Sequence, residues 1–310
     1  MTISRRKFLV AATATGVSCG LAALIANGDA KPTYVWRGSA LGGEARIALY
    51  GTDQAVAREA LEAAAREIER LEGIFSLHRA ESELSRLNAL GALDGPSHDL
   101  IEVLRASEVW RSKTSGAFNP LVQPMWQAAA AGTEITSDLI EAAKGAVQIG
   151  DRIALPPGTR VTLNGIAQGR IADRVTDILV GRGFDNVVID AGELRLPGKE
   201  RRAIGVPALK SAISVSEVAI ATSEPKSLIF DAKTFRHHLI DPRTGTSPRH
   251  WESISVLAPT AEAADALSTA FAILPSDAVA DLAGSIDGVA VIGADLHGRV
   301  RTFGSRKLIG

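Results

Sequence analysis

One cysteine, Cys19, occurs in the 310 residues, so no intramolecular disulfide forms and no cysteine-cluster metal site can be assembled. An excess of positive charge is missing too. The 34 basic and 35 acidic side chains leave a net charge of -1, which argues against nucleic-acid binding driven by phosphate neutralisation and leaves room only for local basic patches. No apolar run is long and pure enough for a committed membrane span; the best, Phe8 to Ile25, is diluted by Ala, Thr and Gly. The sequence shows no internal repeat, coiled-coil heptad or low-complexity linker, and it lacks the steady βαβ rhythm of a doubly wound sheet. What remains is an ordinary globular chain, 46% hydrophobic and 22% charged, long enough for one large core.

The N-terminus carries a targeting pattern. Ser4-Arg5-Arg6-Lys7-Phe8-Leu9 places a twin arginine ahead of the apolar run, and Gly28-Asp29-Ala30 offers small residues for cleavage. The pattern predicts a Tat signal peptide over residues 1–30, cleavage near Ala30, a mature chain over 31–310, and a periplasmic location. A retained N-terminal anchor is the alternative. A lipoprotein reading through Cys19 is weaker, because Gly16 stands where a leucine is expected.

In the mature chain, Tyr34–Arg37 and Ala45–Tyr50 alternate like paired strands around Leu41-Gly42-Gly43. A helix from about Asp53 to Gly73 aligns Val56, Leu61, Ile68, Leu71 and Phe75 on one stripe. Ser97 can cap a helix to about Lys113, with Gly116 as a left-handed stop, and Ser137 another to about Ala146. Residues 151–153 and 160–163 read as strands across Pro156-Pro157-Gly158, followed by Asn164-Gly165 and a helix from Gln168 to Leu179. Further strands are expected over 186–190, 203–206, 211–215, 219–223, 289–292 and 299–303. Helices are expected from Thr260 to Ile273 and from Pro275 onward. The mixture predicts an α+β fold, with largely antiparallel sheets and packed helices in a single catalytic domain.

Four segments carry candidate chemistry. Asp265 and Thr269, at i and i+4, project from one helix face, and a carboxylate beside a hydroxyl suits a hard cation such as Mg²⁺. A solvated Asp with a helix-bonding Thr is the alternative, but the apolar surround (Ala263, Ala264, Ala266, Leu267, Ala270, Phe271) makes an unpaired Asp costly. Asn164-Gly165-Ile166-Ala167-Gln168-Gly169 is a glycine turn opening a helix, a weak phosphate motif without a P-loop lysine. His237-His238-Leu239-Ile240-Asp241-Pro242-Arg243-Thr244-Gly245 sets two histidines before a tight turn, either to take a proton from an alcohol or as strand structure. Alternation points the two rings to opposite faces, so only one can face a metal. Ser115-Gly116-Ala117-Phe118-Asn119-Pro120 either presents amides and Phe118 to a planar ligand or packs Phe118 into the core.

In this order, and with Ser82-Glu83-Leu84-Ser85-Arg86-Leu87-Asn88, these segments resemble the ApbE family of FAD:protein FMN transferases, from about Ser39 to Phe303. The resemblance implies Mg²⁺ and FAD, with FMN attached by a phosphoester to a Thr or Ser of a target flavoprotein and AMP released. It also implies, for exported members, respiratory partners including the membrane protein of nitrous oxide reduction. Carried over by motif, the metal is held by Asp265, Thr269 and the Gly165 carbonyl, and His238 is the base at the acceptor hydroxyl, with His237 the weaker candidate. Leu41, His78, Ala117, Phe118, Asn119 and Gln168 fall at FAD contacts. Three positions depart from the pattern: Asn119 for a usual Asp, Gln168 for a usual Lys, and Glu193 for a usual second Gly after Ala191-Gly192. A protein that binds FAD without transfer, or a pyrophosphatase handing FMN to water, stays open as the alternative.

Overall fold

The computed structural model describes residues 34–51 and 54–308. The expected signal peptide and its cleavage site lie outside these residues. Among the described residues, no helix is long and apolar enough to cross a membrane.

In chain order the elements are β1 (Tyr34–Ala40), β2 (Gly43–Leu49), α1 (Gln54–Phe75), α2 (Glu83–Leu90), β3 (Ala92–Asp94), α3 (His98–Lys113), α4 (Gln123–Ala130), α5 (Ser137–Ala142), β4 (Arg152–Ala154), α6 (Ala167–Val180), β5 (Val187–Asp190) and β6 (Leu194–Leu196). Then follow β7 (Arg202–Val206), β8 (Ser211–Val215), β9 (Val218–Ser223), β10 (Ile229–Asp231), β11 (Arg236–His237), β12 (Trp251–Ala258), α7 (Ala261–Ile273), α8 (Ser276–Ser285), β13 (Ala290–Asp295) and β14 (Val300–Gly304). Eight strands form one sheet in the order β1-β2-β5-β6-β9-β12-β13-β14, and every pairing in it is antiparallel. The expected α+β class holds.

The period of two sorts the strands onto two layers. Ala45, Ile47 and Leu49 of β2 turn toward the helices, while Ala48 and Tyr50 turn to the opposite face. On that second face the β7–β8 hairpin covers a smaller core through Ile204, Val206, Ile213 and Val215. On the helical face α1, α6 and α7 pack against the sheet. Gly169 permits the closest approach there, since a Cβ at that position would stand 2.2 Å from the Ala261 carbonyl oxygen. The start of α6 therefore lies directly against the start of α7. Asp173 joins them again, each carboxylate oxygen accepting one N–H, from Ala261 and Glu262, at 2.9 Å.

Several elements depart from the sequence reading. Val56 is 53% exposed; alanines 57, 60 and 64 line the buried stripe of α1 instead, with Leu61, Ile68, Leu71 and Phe75. Residues 160–163 form no strand, because the Asn88 side chain takes both the N–H and the C=O of Val161 and the Thr162 N–H goes to the Pro120 carbonyl. The β4 strand pairs with β3 instead. Helix α5 ends at Ala142, and Thr136, not Ser137, holds its N-cap position without a side-chain bond. The Ser97 cap stands as expected, its Oγ accepting the Leu100 N–H at 3.3 Å, and Gly116 is left-handed at φ 79°. Thr260 likewise caps α7 through the Ala263 N–H.

Candidate active site

The turn at residues 164–166, the middle of α7 and the segment after β11 converge on one open cleft of about 1160 Å³, its mouth included. Gly165, Gln168, His238, Asp265 and Thr269 all line it, so residues more than a hundred positions apart meet there. Trp126, Val122, Leu228 and Leu239 form apolar wall, while Asp190, Glu193 and Glu224 add carboxylates. Among the described residues, no Lys or Arg lines it.

The proximity of α6 and α7 fixes the Asp265 side chain. Its Oδ2 accepts the Gly169 N–H at 3.1 Å, which leaves the second oxygen for a cation. Burial drives its pKa up to about 8, against the pull of the Gly169 amide, with the Glu262 and Asp173 charges adding to the rise. At neutral pH the carboxyl keeps a proton unless a cation takes its place. Burial also raises Glu193 well above the usual carboxylate range, and the Asp265 and Asp190 charges push it further.

Gly165 and Thr269 complete the set. A Cβ at Gly165 would stand 2.7 Å from Thr269 Oγ1, so only glycine leaves this space clear. A carboxylate, a hydroxyl and a backbone carbonyl are hard oxygen donors of the kind Mg²⁺ takes. Among the described residues no group of three His, Cys, Asp or Glu is spaced to hold a metal alone. A site of few protein oxygen donors is one that Mg²⁺ could take.

The two histidines stand in unlike surroundings. His237 is wholly buried, with Nε2 bonded to the Pro248 carbonyl at 2.8 Å. His238 opens on the cleft, and its Nδ1 lies 3.3 Å from the Leu228 carbonyl, which fixes the tautomer with Nδ1–H donating and Nε2 carrying the lone pair. Although it reaches the cleft, the ring is closely surrounded by protein, and that desolvation lowers its pKa to about 4, helped by His237 and opposed by the Leu228 carbonyl.

The sequence pattern of the ApbE family matches residues 41–292, most of the chain and all of these site segments. The chain belongs to the ApbE family. It is 28% identical to the FAD:protein FMN transferase of Haemophilus influenzae, over 67% of this chain and 70% of that one. The FAD:protein FMN transferase of Treponema pallidum is 26% identical, over 67% and 69%. Among solved structures, the ApbE protein of Thermotoga maritima superposes with a TM-score of 0.77 at 25% identity, covering 89% of this chain and 98% of that one. The apo flavinyl transferase ApbE of Pseudomonas stutzeri gives 0.75 at 21%, covering 91% and 99%.

Not all residues that the ApbE resemblance assigned to FAD meet in this cleft. Gln168 does, its amide lying over Gly192. Ala117, Phe118 and Asn119 line a smaller adjoining pocket that shares Gly165, His238 and Thr269 with the cleft. Phe118 is buried there, and Asn119 is committed to structure, its Oδ1 accepting the Leu121 N–H and its Nδ2 donating to the Ala143 carbonyl, both at 2.9 Å. Leu41 and His78 line neither. Leu41 forms the β1–β2 turn at φ 51°, its N–H bonded to the buried Glu72 carboxylate at 2.6 Å. His78 is exposed in the turn after α1, its N–H donating to Ser76 Oγ.

The sequence reading did not weigh Asp190, Trp126, Leu228 or Glu224 as cleft residues. For Asp190 a signal existed: an acid ending a predicted strand just before Ala191-Gly192. Trp126 and Leu228 carry none, because an apolar residue on a wall looks like one in a core.

Proposed function

We propose that this chain is a Mg²⁺-dependent FAD:protein FMN transferase. The acceptor is a Thr or Ser hydroxyl of a target flavoprotein, the bond formed is a phosphoester, and AMP is released. The observation that carries the reading is the meeting of Gly165, Asp265 and Thr269 with His238 on one cleft. Family membership and the names of the Haemophilus influenzae and Treponema pallidum relatives support the same reaction.

In the reaction the acceptor oxygen attacks the FMN-side phosphorus, the pyrophosphate P–O bond breaks, and AMP leaves with the bonding electrons. His238 stays neutral across the physiological range, so Nε2 can accept the hydroxyl proton while the Leu228 carbonyl holds the ring. A Mg²⁺ bound by the Gly165, Asp265 and Thr269 oxygens would neutralise charge developing on the departing phosphate. The apolar wall at Trp126, Val122 and Leu239 suits a planar flavin. Positioning supplies most of the rate in such transfers, because the protein forms no covalent bond to the phosphoryl group.

The twin arginine Arg5-Arg6 supports export, which would make the acceptor a periplasmic flavoprotein; that it is a respiratory membrane protein rests on the family resemblance alone. Co-expression with an acceptor bearing a Thr or Ser flavinylation site, followed by in-gel flavin fluorescence, tests the function. A fluorescent acceptor band that disappears with Asp265→Ala supports transfer. Free FMN and AMP without a labelled acceptor would show a pyrophosphatase, and unchanged FAD a binding protein.

A further inference from the structure

The two histidines are held in opposite tautomers. The Pro248 carbonyl can only accept, so His237 carries its proton on Nε2, and its Nδ1 accepts the Leu239 N–H at 3.3 Å. His238 is protonated on Nδ1 instead, toward the Leu228 carbonyl. That carbonyl also takes the His238 N–H, at 3.1 Å. A second tie acts one residue earlier. Ser247 Oγ accepts the His237 N–H at 3.1 Å and donates to the His237 carbonyl at 2.8 Å.

Ser247 itself lines neither the cleft nor the adjoining pocket. It is delivered by the loop after the histidines, where the Asp241 N–H donates to the Thr246 carbonyl and the Gly245 N–H to the Asp241 carbonyl, both at 2.8 Å, with Gly245 at φ 70°. The chain thus folds back on itself, and Ser247 takes the His237 backbone while Pro248 takes the His237 ring. The His237 carbonyl and the His238 N–H belong to one planar peptide. With Ser247 on its oxygen and Leu228 on its hydrogen, that peptide cannot turn without breaking a bond, and its plane sets where the His238 side chain leaves the backbone. The bond from His238 Nδ1, at 3.3 Å, is at the long end for N–H to oxygen, so a small turn of the peptide removes it.

We infer that Ser247 is a positioning residue for His238: its hydroxyl, acting through the peptide between the histidines, keeps His238 in the Nδ1–H tautomer with Nε2 free to accept a proton at the cleft. The inference rests on the role of His238 given under the proposed function. Without the hydroxyl, two backbone groups of the wholly buried His237 lose their partner, which is costly, and the peptide shifts to recover one. His238 then samples both tautomers, and the form with its proton on Nε2 cannot accept another there.

The test is nitrogen NMR of the histidine rings in protein carrying isotope-labelled histidine, with the His238 signal assigned by its loss in His238→Gln. The parent is compared with Ser247→Ala and Ser247→Thr, and FAD affinity and FMN transfer to a Thr-bearing acceptor are measured on the same samples. Ser247→Ala should give His238 a mixture of tautomers and leave His237 in its single Nε2–H form, because Pro248 still holds that ring. Its kcat should fall about 10- to 100-fold at unchanged FAD affinity and acceptor KM. Ser247→Thr keeps the hydroxyl and should match the parent in both readouts. An unmixed His238 signal in Ser247→Ala would overturn the inference. Loss of the His237 form together with that of His238 would overturn it as well, because Ser247 would then hold the whole loop and not His238. Equal losses in Ser247→Thr would do the same, since the hydroxyl would not be the cause. A parent that transfers no FMN would remove the transferase reading, while the spectra still decide the role of Ser247.

Discussion

His238 and His237 differ by one position, and that difference decides which of them can touch a substrate. His238 presents Nε2 to the cleft with its tautomer set by Leu228, while His237 is closed off and bonded to Pro248. His238→Ala should therefore slow FMN transfer by ~10² to 10⁴ and leave FAD affinity nearly unchanged. His237→Ala should instead lower the unfolding temperature. Transfer rates, FAD titrations and melting curves on both variants check this, and a larger rate loss in a folded His237→Ala would reverse the assignment. Asp265 supplies a pH signature. Its carboxyl titrates near ~4 when unfolded and near about 8 in the metal-free fold. Between those values the native chain holds a proton that the unfolded chain has released, so stability falls as pH rises through that window. His238 works in the opposite direction at lower pH, since its folded pKa of about 4 lies below the ordinary histidine value. In EDTA, Asp265→Asn should lose less stability than the parent between about pH 5 and 8. Parallel stability profiles would show that Asp265 is not held protonated. The pairing of Asp265 with Thr269 was legible from i, i+4 spacing on an apolar helix. The bond to the Gly169 amide was not, because it joins residues 96 positions apart.

Helices α6 and α7 position the site by their closeness, and Gly169 makes that closeness available. Gly169→Ala would drive a Cβ into the Ala261 carbonyl, which is backbone and has little room to yield. The variant should lose about 1 to 3 kcal/mol of stability, and its Mg²⁺ affinity should fall as Asp265 loses its amide partner. Urea unfolding checks the first effect, and a variant as stable as the parent would show that the two helices can separate freely. Elements with a local cause were readable in advance: β1 and β2 from alternation, α3 from Ser97, and α7 from Thr260. Those decided by distant partners were not. Residues 160–163 look like a strand, yet Asn88 and Pro120 occupy their backbone groups. The alanines of α1 outrank Val56 because close packing favours small residues on the buried side.

At the scale of the whole molecule, strands distant in sequence close the sheet. β2 pairs with β5 across more than a hundred residues, and β6 with β9. Alternation gives the strands but not their neighbours, which is why the α+β class was legible and the strand order was not. The cleft inherits that difficulty, since its carboxylates come from β5, the connection to β6, the residue after β9, and α7. Export belongs to this scale as well. Replacing Arg5 and Arg6 with lysine should hold the protein in the cytoplasm, because the Tat route depends on the arginine pair. Unchanged periplasmic recovery, measured by cell fractionation with the Tat route intact, would contradict it. The most direct test of the central claim is mass spectrometry of a purified acceptor after incubation with this protein, FAD and Mg²⁺, with AMP measured in the same reaction. The account predicts one FMN added to a Thr or Ser, one AMP released per FMN attached, and neither product after Asp265→Ala. An acceptor of unchanged mass in a reaction that consumes FAD would contradict it.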